Sequence, residues 1–217
     1  MEKQPRAVLW DIDGTLIDSE DYHFLTWQEA MAGVGYGLTR ENFAATFGQR
    51  NDAVLRGYLG DEIDDAEIKR LSELKEARYR DVVRERGIEL LPGARRWLEL
   101  LREQGWRQAV ASSAPAQNIE VILDALDLPP FITAAASAEG LKHGKPDPEI
   151  FLTAAALVET PPANCIVVED APAGTEGARR AGMRAIGVLT THSHLAADLV
   201  VRSLDHLPDD AFLKLLG

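Results

Sequence analysis

The sequence predicts an α/β fold in which a parallel β-sheet core carries an inserted helical domain, and two observations support it. From residue 90 onward, short apolar runs alternate with segments of helical periodicity, which is typical of a parallel sheet covered by helices. Residues 17–89 are instead charged and rich in helix formers, with no clear strand. We therefore predict a Rossmann-like core, residues 1–16 and 90–217, interrupted by a helical cap, residues 17–89.

The elements of this fold can be placed one after another along the chain. Residues 6–12 are a buried strand that ends at two acids, and residues 22–34 have the apolar spacing of a first cap helix. In the remainder of the core, helices are predicted at 94–105, 119–126, 148–158, 174–181 and 209–216. The strands that alternate with them are predicted at 107–113, 131–137, 165–170, 184–189 and 197–201.

Composition excludes several classes of function. The 217 residues carry a formal net charge of −12, which argues against non-specific binding of nucleic acid or of anionic lipid. Cys165 is the only cysteine, so no intramolecular disulfide forms, as is usual in the cytosol. No signal peptide or membrane span is apparent. We expect a cytoplasmic monomer that binds no membrane and no nucleic acid, and whose partner is a small molecule.

Polar residues follow three of the predicted strands. They are Asp11 and Asp13, Ser112 and Ser113, and Glu169 and Asp170. Ligands of open α/β sheets bind beyond the carboxyl ends of the strands, so these side chains are expected to meet at one edge.

The first acidic pair points to a metal. Asp11 and Asp13 alternate with Ile12, so in an extended chain their side chains face the same way and repel each other. Mg²⁺, which prefers oxygen ligands, resolves that repulsion. An isolated Asp-x-Asp is more often an acidic turn, but here it follows an apolar strand, and Gly14 allows the turn that brings N–H groups toward a ligand. Thr15 can cap or donate.

Candidate anion-binding groups lie in the second half of the chain. Ser112 offers a hydroxyl, and Ser113 is expected at the start of a helix, where N–H groups bind anions; plain helix capping is the alternative. Lys145 lies in a loop between Pro146 and Pro148. A loop lysine is usually a solvated charge, but this one is better interpreted as the cation that balances a phosphate and a carboxylate.

Four segments resemble, in order, the four motifs of the haloacid dehalogenase-like hydrolases: DIDGTLIDSE, ASSAP, KPDPEIF and VVEDAPAGTEGARRAGM. The match covers nearly the whole chain. The helical insert resembles the C1-type cap of the branch that contains phosphoglucomutases and phosphoglycolate phosphatases.

The resemblance implies a mechanism. Asp11 would be the nucleophile that forms an aspartyl phosphate, and Asp13 the general acid and then the base. Mg²⁺ would bind Asp11, the backbone carbonyl of Asp13 and Asp170, with Glu169 in or beside the coordination shell. The transferring phosphoryl oxygens would be held by Thr15, Ser112 and Lys145. Family members that act on halides or phosphonates lack an aspartate at position 13, so its presence implies phosphate-ester chemistry.

The cap offers residues for substrate selection. His23 lies four residues before Trp27 on one helical face, and the resemblance implies that it contacts the hinge and Asp13; a partly buried helix histidine is the alternative. Residues 47–55 resemble a substrate loop, in which Gly48 allows close approach and Arg50 or Asn51 contacts substrate. We expect the helix cations Lys75 and Arg78 to face solvent.

One departure from the family pattern bears on the reaction. After the second-motif serine, mutases of this branch have polar and basic residues that grip a second phosphate, whereas this chain has Ala114, Pro115 and Ala116. We therefore predict a Mg²⁺-dependent phosphatase for a small phosphorylated metabolite such as a sugar phosphate. The alternatives are a phosphosugar mutase and a non-catalytic phosphate- or metal-binding protein. A receiver-like domain is a further alternative, although receivers are about half this length and lack both the first motif and a cap.

Overall fold

The first strand of the core lies in the middle of a fully parallel sheet. A computed structural model describes residues 4–216, and in that range six strands pair in the order β3-β2-β1-β4-β5-β6. The strands are β1 Ala7–Trp10, β2 Arg107–Ser112, β3 Ala134–Ser137, β4 Cys165–Glu169, β5 Arg184–Val188 and β6 Leu199–Val201. Trp10 is in register with Val110 of β2 and Val168 of β4, so the carboxyl ends of the three strands lie side by side.

Helices cover both faces of this sheet and build the cap. The four cap helices are α1 Glu20–Ala32, α2 Arg40–Ala44, α3 Asn51–Leu59 and α4 Asp65–Arg86. The core helices in the described range are α5 Ala94–Glu103, α6 Ala116–Ala125, α7 Glu149–Leu157, α8 Pro172–Arg180 and α9 Ala211–Leu216. The predicted fold class, a Rossmann-like α/β core, is confirmed. Each predicted strand is found, with bounds shifted by up to three residues.

Alternation along β1 separates two apolar cores. Val8 and Trp10 point to one face, where Trp10 packs near Phe212 of α9. Ala7 and Leu9 point to the other face, which α7 and α8 cover. Because both faces are buried, the strand reads as a continuous apolar run, as strands of parallel sheets do.

The cap helices enclose a third apolar cluster, which includes Trp27, Met31 and Phe43. The chain enters and leaves this region side by side: Ile17 bridges Leu90, and the N–H of Leu91 donates to the carbonyl of Leu16 at 2.8 Å. The cap thus has an apolar cluster of its own, and its two connections to the core lie side by side. Both observations agree with the proposed boundary of the cap at residues 17–89.

Among residues 4–216, none of the helices is long and apolar enough to cross a membrane.

Candidate active site

The chain turns sharply where β1 ends. The N–H of Asp11 still bonds to the Val168 carbonyl at 3.0 Å, and three residues later Gly14 adopts a φ of +80°. The Gly14 N–H closes the turn on the carbonyl of Ile17 at 2.8 Å. A Cβ at position 14 would overlap the carboxylate of Asp170. Glycine is therefore required here both for the left-handed backbone and for the close approach of that acid.

Three carboxylates meet beside a lysine at this edge of the sheet. One oxygen each of Asp11, Glu169 and Asp170 lie within 4.8 Å of one another, and all three residues are buried. The ammonium of Lys145 donates to Asp11 and to Glu169, each at 2.6 Å. The other Glu169 oxygen accepts the backbone N–H groups of Asp170 and Ala171, each at 2.9 Å. Glu169 thus has a protein donor on both oxygens and holds Lys145 in place.

Burial and crowding disfavour charge in this cluster. Burial, opposed by Lys145 and reinforced by Glu169 and Asp170, holds the pKa of Asp11 well above its usual range. Burial and the Glu169 charge raise the pKa of Asp170 to about 7. Burial alone would lower the pKa of Lys145, but Asp11 and Glu169 outweigh it and the pKa is raised. One ammonium therefore does not balance three carboxylates near neutral pH.

The donor set fits a hard divalent cation. Asp11 and Asp170 each keep one carboxylate oxygen that no donor within residues 4–216 occupies; the other Asp170 oxygen accepts the Thr191 hydroxyl. Carboxylate oxygens are the ligands that Mg²⁺ prefers. A bound cation would also favour the ionised forms that burial disfavours.

Asp13 faces the same cavity but has different partners. Its Oδ1 accepts the Ser19 hydroxyl at 2.5 Å and lies 3.2 Å from Nε2 of His23. The Lys75 ammonium lies 2.8 Å from Nδ1 of His23. Since an ammonium can only donate, Nδ1 accepts, and Nε2 carries the hydrogen that is donated to Asp13. The contact between His23 and Asp13 that the family resemblance implied is present.

This arrangement favours the ionised form of Asp13. Burial alone would raise the pKa of the carboxyl group, but the nearby His23 ring and the hydrogen bonds from His23 and Ser19 lower it below its ordinary value. The pKa of Asp11 is therefore raised and that of Asp13 is lowered, although the two residues are only two positions apart. Two carboxyl groups that differ in this way are suited to different chemical roles.

The prediction that Lys75 faces solvent is wrong. Its side chain is 2% exposed, and Nζ donates to Glu76 at 2.8 Å and approaches the ring faces of Trp27 and Tyr79 at 5.2 and 5.4 Å. The packing of α4 against α1 causes this burial, because it encloses Lys75 between aromatic rings and His23. Arg78, by contrast, is partly exposed and pairs with two glutamates.

Glu76 connects this buried lysine to the core. Its Oε1 also accepts from Asn51 at 2.8 Å, and its Oε2 accepts from Asn118 of α6 at 2.5 Å. Asn118 in turn accepts from Arg80 at 2.9 Å. The candidate substrate residue Asn51 is thus engaged with a cap glutamate in this structure.

The two serines of the second motif reach the cavity, but they do not cap a helix. Ser112 ends β2 and its Oγ accepts the N–H of Ala114 at 3.1 Å. The expectation that Ser113 begins a helix is wrong, because α6 starts at Ala116, after Pro115. Ser113 still lines the cavity beside Ser112.

Thr15 does not reach the cavity. Its side chain is 0% exposed, and its hydroxyl has no hydrogen-bond partner within the described range. The turn at Gly14 directs the chain inward, where the Thr15 N–H bonds to the carbonyl of Ile12 at 3.2 Å. The expectation that its side chain holds a phosphoryl oxygen is therefore not met.

The cap loop closes over the site from the other side. Gly48, with a φ of +81°, lines the cavity together with Arg50. Arg50 crosses to the core, where it donates to the Leu141 carbonyl at 3.0 Å, and it pairs with Asp52 at 3.2 Å. A Cβ on Gly144 would lie 2.8 Å from the Arg50 side chain. The absence of a side chain at Gly144 therefore leaves room for the arginine to pass over the core loop.

The resulting cavity measures about 610 Å³, a volume typical of small-molecule sites. Strand ends of the core and the cap loop line it together. Sequence reasoning missed Thr191 and His192, which line it after β5. The rule used for the other three strands, polar residues just beyond the carboxyl end, would have found them.

The fold and site are those of an α/β protein with a buried acidic centre in a cavity, and comparison with known proteins identifies the family. The family model of the haloacid dehalogenase-like hydrolases matches residues 5–182. The chain belongs to this family and is an enzyme.

Two of the similar curated proteins are named as a phosphoglucomutase and as a hexitol phosphatase. The chain is 35% identical to β-phosphoglucomutase of Bacillus subtilis, over 93% of this chain and 91% of that protein. It is 32% identical to hexitol phosphatase B of Escherichia coli, over 94% and 95% of the two chains. A crystal structure of β-phosphoglucomutase from Clostridium difficile superposes with a TM-score of 0.85 at 26% identity, covering 98% of this chain and 97% of that one.

Proposed function

We propose that this protein is a Mg²⁺-dependent phosphatase that hydrolyses a small phosphorylated metabolite, a sugar or polyol phosphate, through an aspartyl phosphate on Asp11. One observation carries the proposal: a buried aspartate lies 2.6 Å from a lysine and beside two further carboxylates, at the floor of a cavity that a second aspartate also faces. Phosphoryl transfer depends mostly on positioning and charge neutralisation, and this arrangement supplies both.

In the first step, a carboxylate oxygen of Asp11 forms a bond to phosphorus and the bond from phosphorus to the leaving oxygen breaks. Asp13 gives that oxygen its proton. In the free enzyme His23 and Ser19 favour ionised Asp13, and the negative charge of a bound phosphate opposes them by raising the pKa of Asp13.

In the second step, ionised Asp13 takes a proton from water as the water oxygen bonds to phosphorus. The bond from phosphorus to Asp11 breaks, which returns the carboxylate and releases inorganic phosphate. Lys145 and Ser112 are the proposed contacts of the phosphoryl oxygens.

Asp11 and Asp170, with the backbone carbonyl of Asp13, are the proposed ligands of Mg²⁺. The ion would neutralise charge on the phosphoryl oxygens and on the attacking carboxylate. Glu169 is better assigned to holding Lys145, because both of its oxygens already have protein donors.

The alternative is a phosphosugar mutase, which the 35% sequence identity to β-phosphoglucomutase of Bacillus subtilis favours. A mutase must hold the phosphate of the sugar at a second site while the phosphoryl group on Asp11 is transferred to a sugar hydroxyl and not to water. Ala114, Pro115 and Ala116 offer no charged side chain for that purpose, and Asn118 beyond them is occupied by Glu76 and Arg80. We therefore favour hydrolysis.

Phosphate release from a panel of sugar, polyol and nucleoside monophosphates and phosphoglycolate, with Mg²⁺ or with EDTA, tests the proposal. β-Glucose 1-phosphate with glucose 1,6-bisphosphate is included, and glucose 6-phosphate is followed in parallel. We expect metal-dependent phosphate release that Asp11→Asn abolishes and that Asp18→Asn, at an exposed site, preserves. Isomerised product with little free phosphate would establish the mutase activity. More than a tenth of wild-type activity in Asp11→Asn would refute the assignment of Asp11 as the nucleophile.

A further inference from the structure

A recess beside Asp13 extends the main cavity into the cap. It shares Asp13, Gly48 and Ser113 with the cavity, and it ends at α4. Aromatic and polar side chains line it together: Trp27, Phe43, Phe47, His23, Asn51, Lys75 and Glu76. The recess measures about 40 Å³, so it admits a hydroxyl-sized group, and the rest of the leaving group, whose oxygen Asp13 must reach, lies beside it in the main cavity. Aromatic faces with a few fixed polar groups suit a hydroxylated carbon chain that passes the mouth of this recess.

The positive charge of the recess is cancelled. Lys75 is the only lysine or arginine that lines it in the part of the chain that the structure describes, and its Nζ lies 2.8 Å from Oε1 of Glu76. Arg50, which lines the neighbouring cavity, is paired with Asp52 at 3.2 Å. A second phosphate on the substrate would thus meet two cap cations that acids already neutralise.

Glu76 is held rigidly in its charged form. Lys75, Asn51 and Asn118 all donate to its carboxylate, and burial, which alone would raise the pKa of Glu76, is outweighed by Lys75 and the other donors so that the pKa is lowered. The group cannot rotate away without breaking contacts to both cap and core.

We propose that Glu76 is a specificity-determining residue, which cancels the charge of Lys75 beside Asp13 and thereby restricts the enzyme to monophosphates of neutral, hydroxylated leaving groups. This inference rests on the proposed function and deepens it. A site can reject a competing ligand by placing a like charge where the competitor is charged. With Lys75 already paired to Glu76, the recess has no net positive charge to compensate a second phosphate for the water that it loses on binding.

The test compares two ligands that differ by one phosphate. Inhibition constants of glucose 6-phosphate and glucose 1,6-bisphosphate are measured against hydrolysis of p-nitrophenyl phosphate with Mg²⁺. In the wild type we expect the monophosphate to bind at least as tightly as the bisphosphate. In Glu76→Gln the ratio of the two constants should shift at least tenfold toward the bisphosphate. Glu73→Gln, which removes the same charge from an exposed position one turn earlier on α4, should leave the ratio within twofold of wild type.

Two further variants keep the inference falsifiable if Glu76→Gln does not fold. Lys75→Met, which leaves Glu76 charged, should shift the ratio against the bisphosphate. Lys75→Met with Glu76→Gln is neutral and should keep the wild-type ratio. Equal weakening of both ligands in the folded single variants would mean a structural role only and would overturn the inference. Absence of wild-type hydrolysis would instead refute the proposed function.

Discussion

Gly174 packs directly against Glu169: a Cβ at position 174 would overlap the Glu169 carboxyl group. The contact arises because β4 ends at Glu169 and α8 begins at Pro172, so the first turn of the helix passes over the carboxylate. The absence of a side chain at 174 leaves Glu169 free to accept Lys145 on one oxygen and two backbone N–H groups on the other.

Gly174→Ala is therefore expected to damage the site although alanine favours helices. Propensity alone would stabilise α8 by about 1 kcal/mol. Overlap with a buried carboxylate that cannot move without losing Lys145 should outweigh that gain, with a net loss of about 1–3 kcal/mol. We also expect kcat/KM to fall at least tenfold. Denaturant unfolding and phosphate release measure the two effects.

The matched control is Gly57→Ala in the last turn of α3, where nothing lies within 4 Å of the added Cβ. It should raise stability by about 0.5–1 kcal/mol and leave activity unchanged. A Gly174→Ala enzyme that gains stability like the control would contradict the assigned role of this contact.

Lys145→Met should make the thermal stability of the protein depend on bound Mg²⁺. The variant leaves Asp11, Glu169 and Asp170 without a cation, and loss of one partner from a buried ionic cluster costs about 3–5 kcal/mol. We expect that loss in EDTA and a substantial recovery in Mg²⁺, whereas activity stays low in both because the phosphoryl contact is gone. Thermal unfolding in the two buffers gives the comparison.

The exposed Lys142, on the same loop, provides the control: Lys142→Met should unfold at the wild-type temperature in either buffer. If Lys145→Met were as stable as wild type in EDTA, the carboxylates would have to be neutral in the folded protein. The balancing role of Lys145 would then be wrong.

The strands and their polar ends were predictable because they depend on local rules. A continuous apolar run marks a strand buried on both faces, and parallel strands bring their carboxyl ends to one edge, which places Asp11, Ser112 and Glu169 together. The prediction that the Thr15 side chain contacts phosphate failed for an equally local reason, which the sequence pattern does not show. The positive φ of Gly14 turns the next side chain into the core.

Lys75 and Glu76 could not be placed from sequence because their neighbours come from elsewhere. The segment from Asp65 to Arg86 is polar throughout, and adjacent lysine and glutamate on such a helix are usually solvated. Their burial follows from how α4 lies across α1 and α6, which depends on tertiary packing. His23 was placed beside Asp13 only through a family resemblance.

Asp13→Asn should separate the two chemical steps. With acetyl phosphate as donor, the leaving acetate needs no proton, so Asp11 is still phosphorylated. The asparagine cannot activate water, and hydrolysis of the aspartyl phosphate should slow by about 10²- to 10⁴-fold. Intact-mass measurement should find a persistent phosphate on the variant. The double variant with Asp11→Asn should carry none, and rapid loss of phosphate from Asp13→Asn would refute the base assignment.

Glu76 should make stability depend on pH in a definite direction. Its pKa in the folded protein lies below the ordinary value of 4.5, since Lys75 and the other donors outweigh burial. A lowered carboxyl pKa contributes stability above the unfolded value, and that contribution is lost as the pH falls through the folded value. The wild type should therefore exceed Glu76→Gln by about 2 kcal/mol at pH 7, and the gap should narrow below about pH 4.

Denaturant unfolding of both proteins at several pH values measures this gap. The difference between the two free energies of unfolding cancels the contributions of the carboxylates that both proteins have. Glu73→Gln is the control and should stay within about 0.5 kcal/mol of wild type at pH 7. A gap for Glu76→Gln that is the same at pH 7 and pH 3 would mean that shape, and not charge, sets the contribution of Glu76. In that case the carboxylate would not cancel Lys75, and the expected rejection of bisphosphates would lose its physical basis.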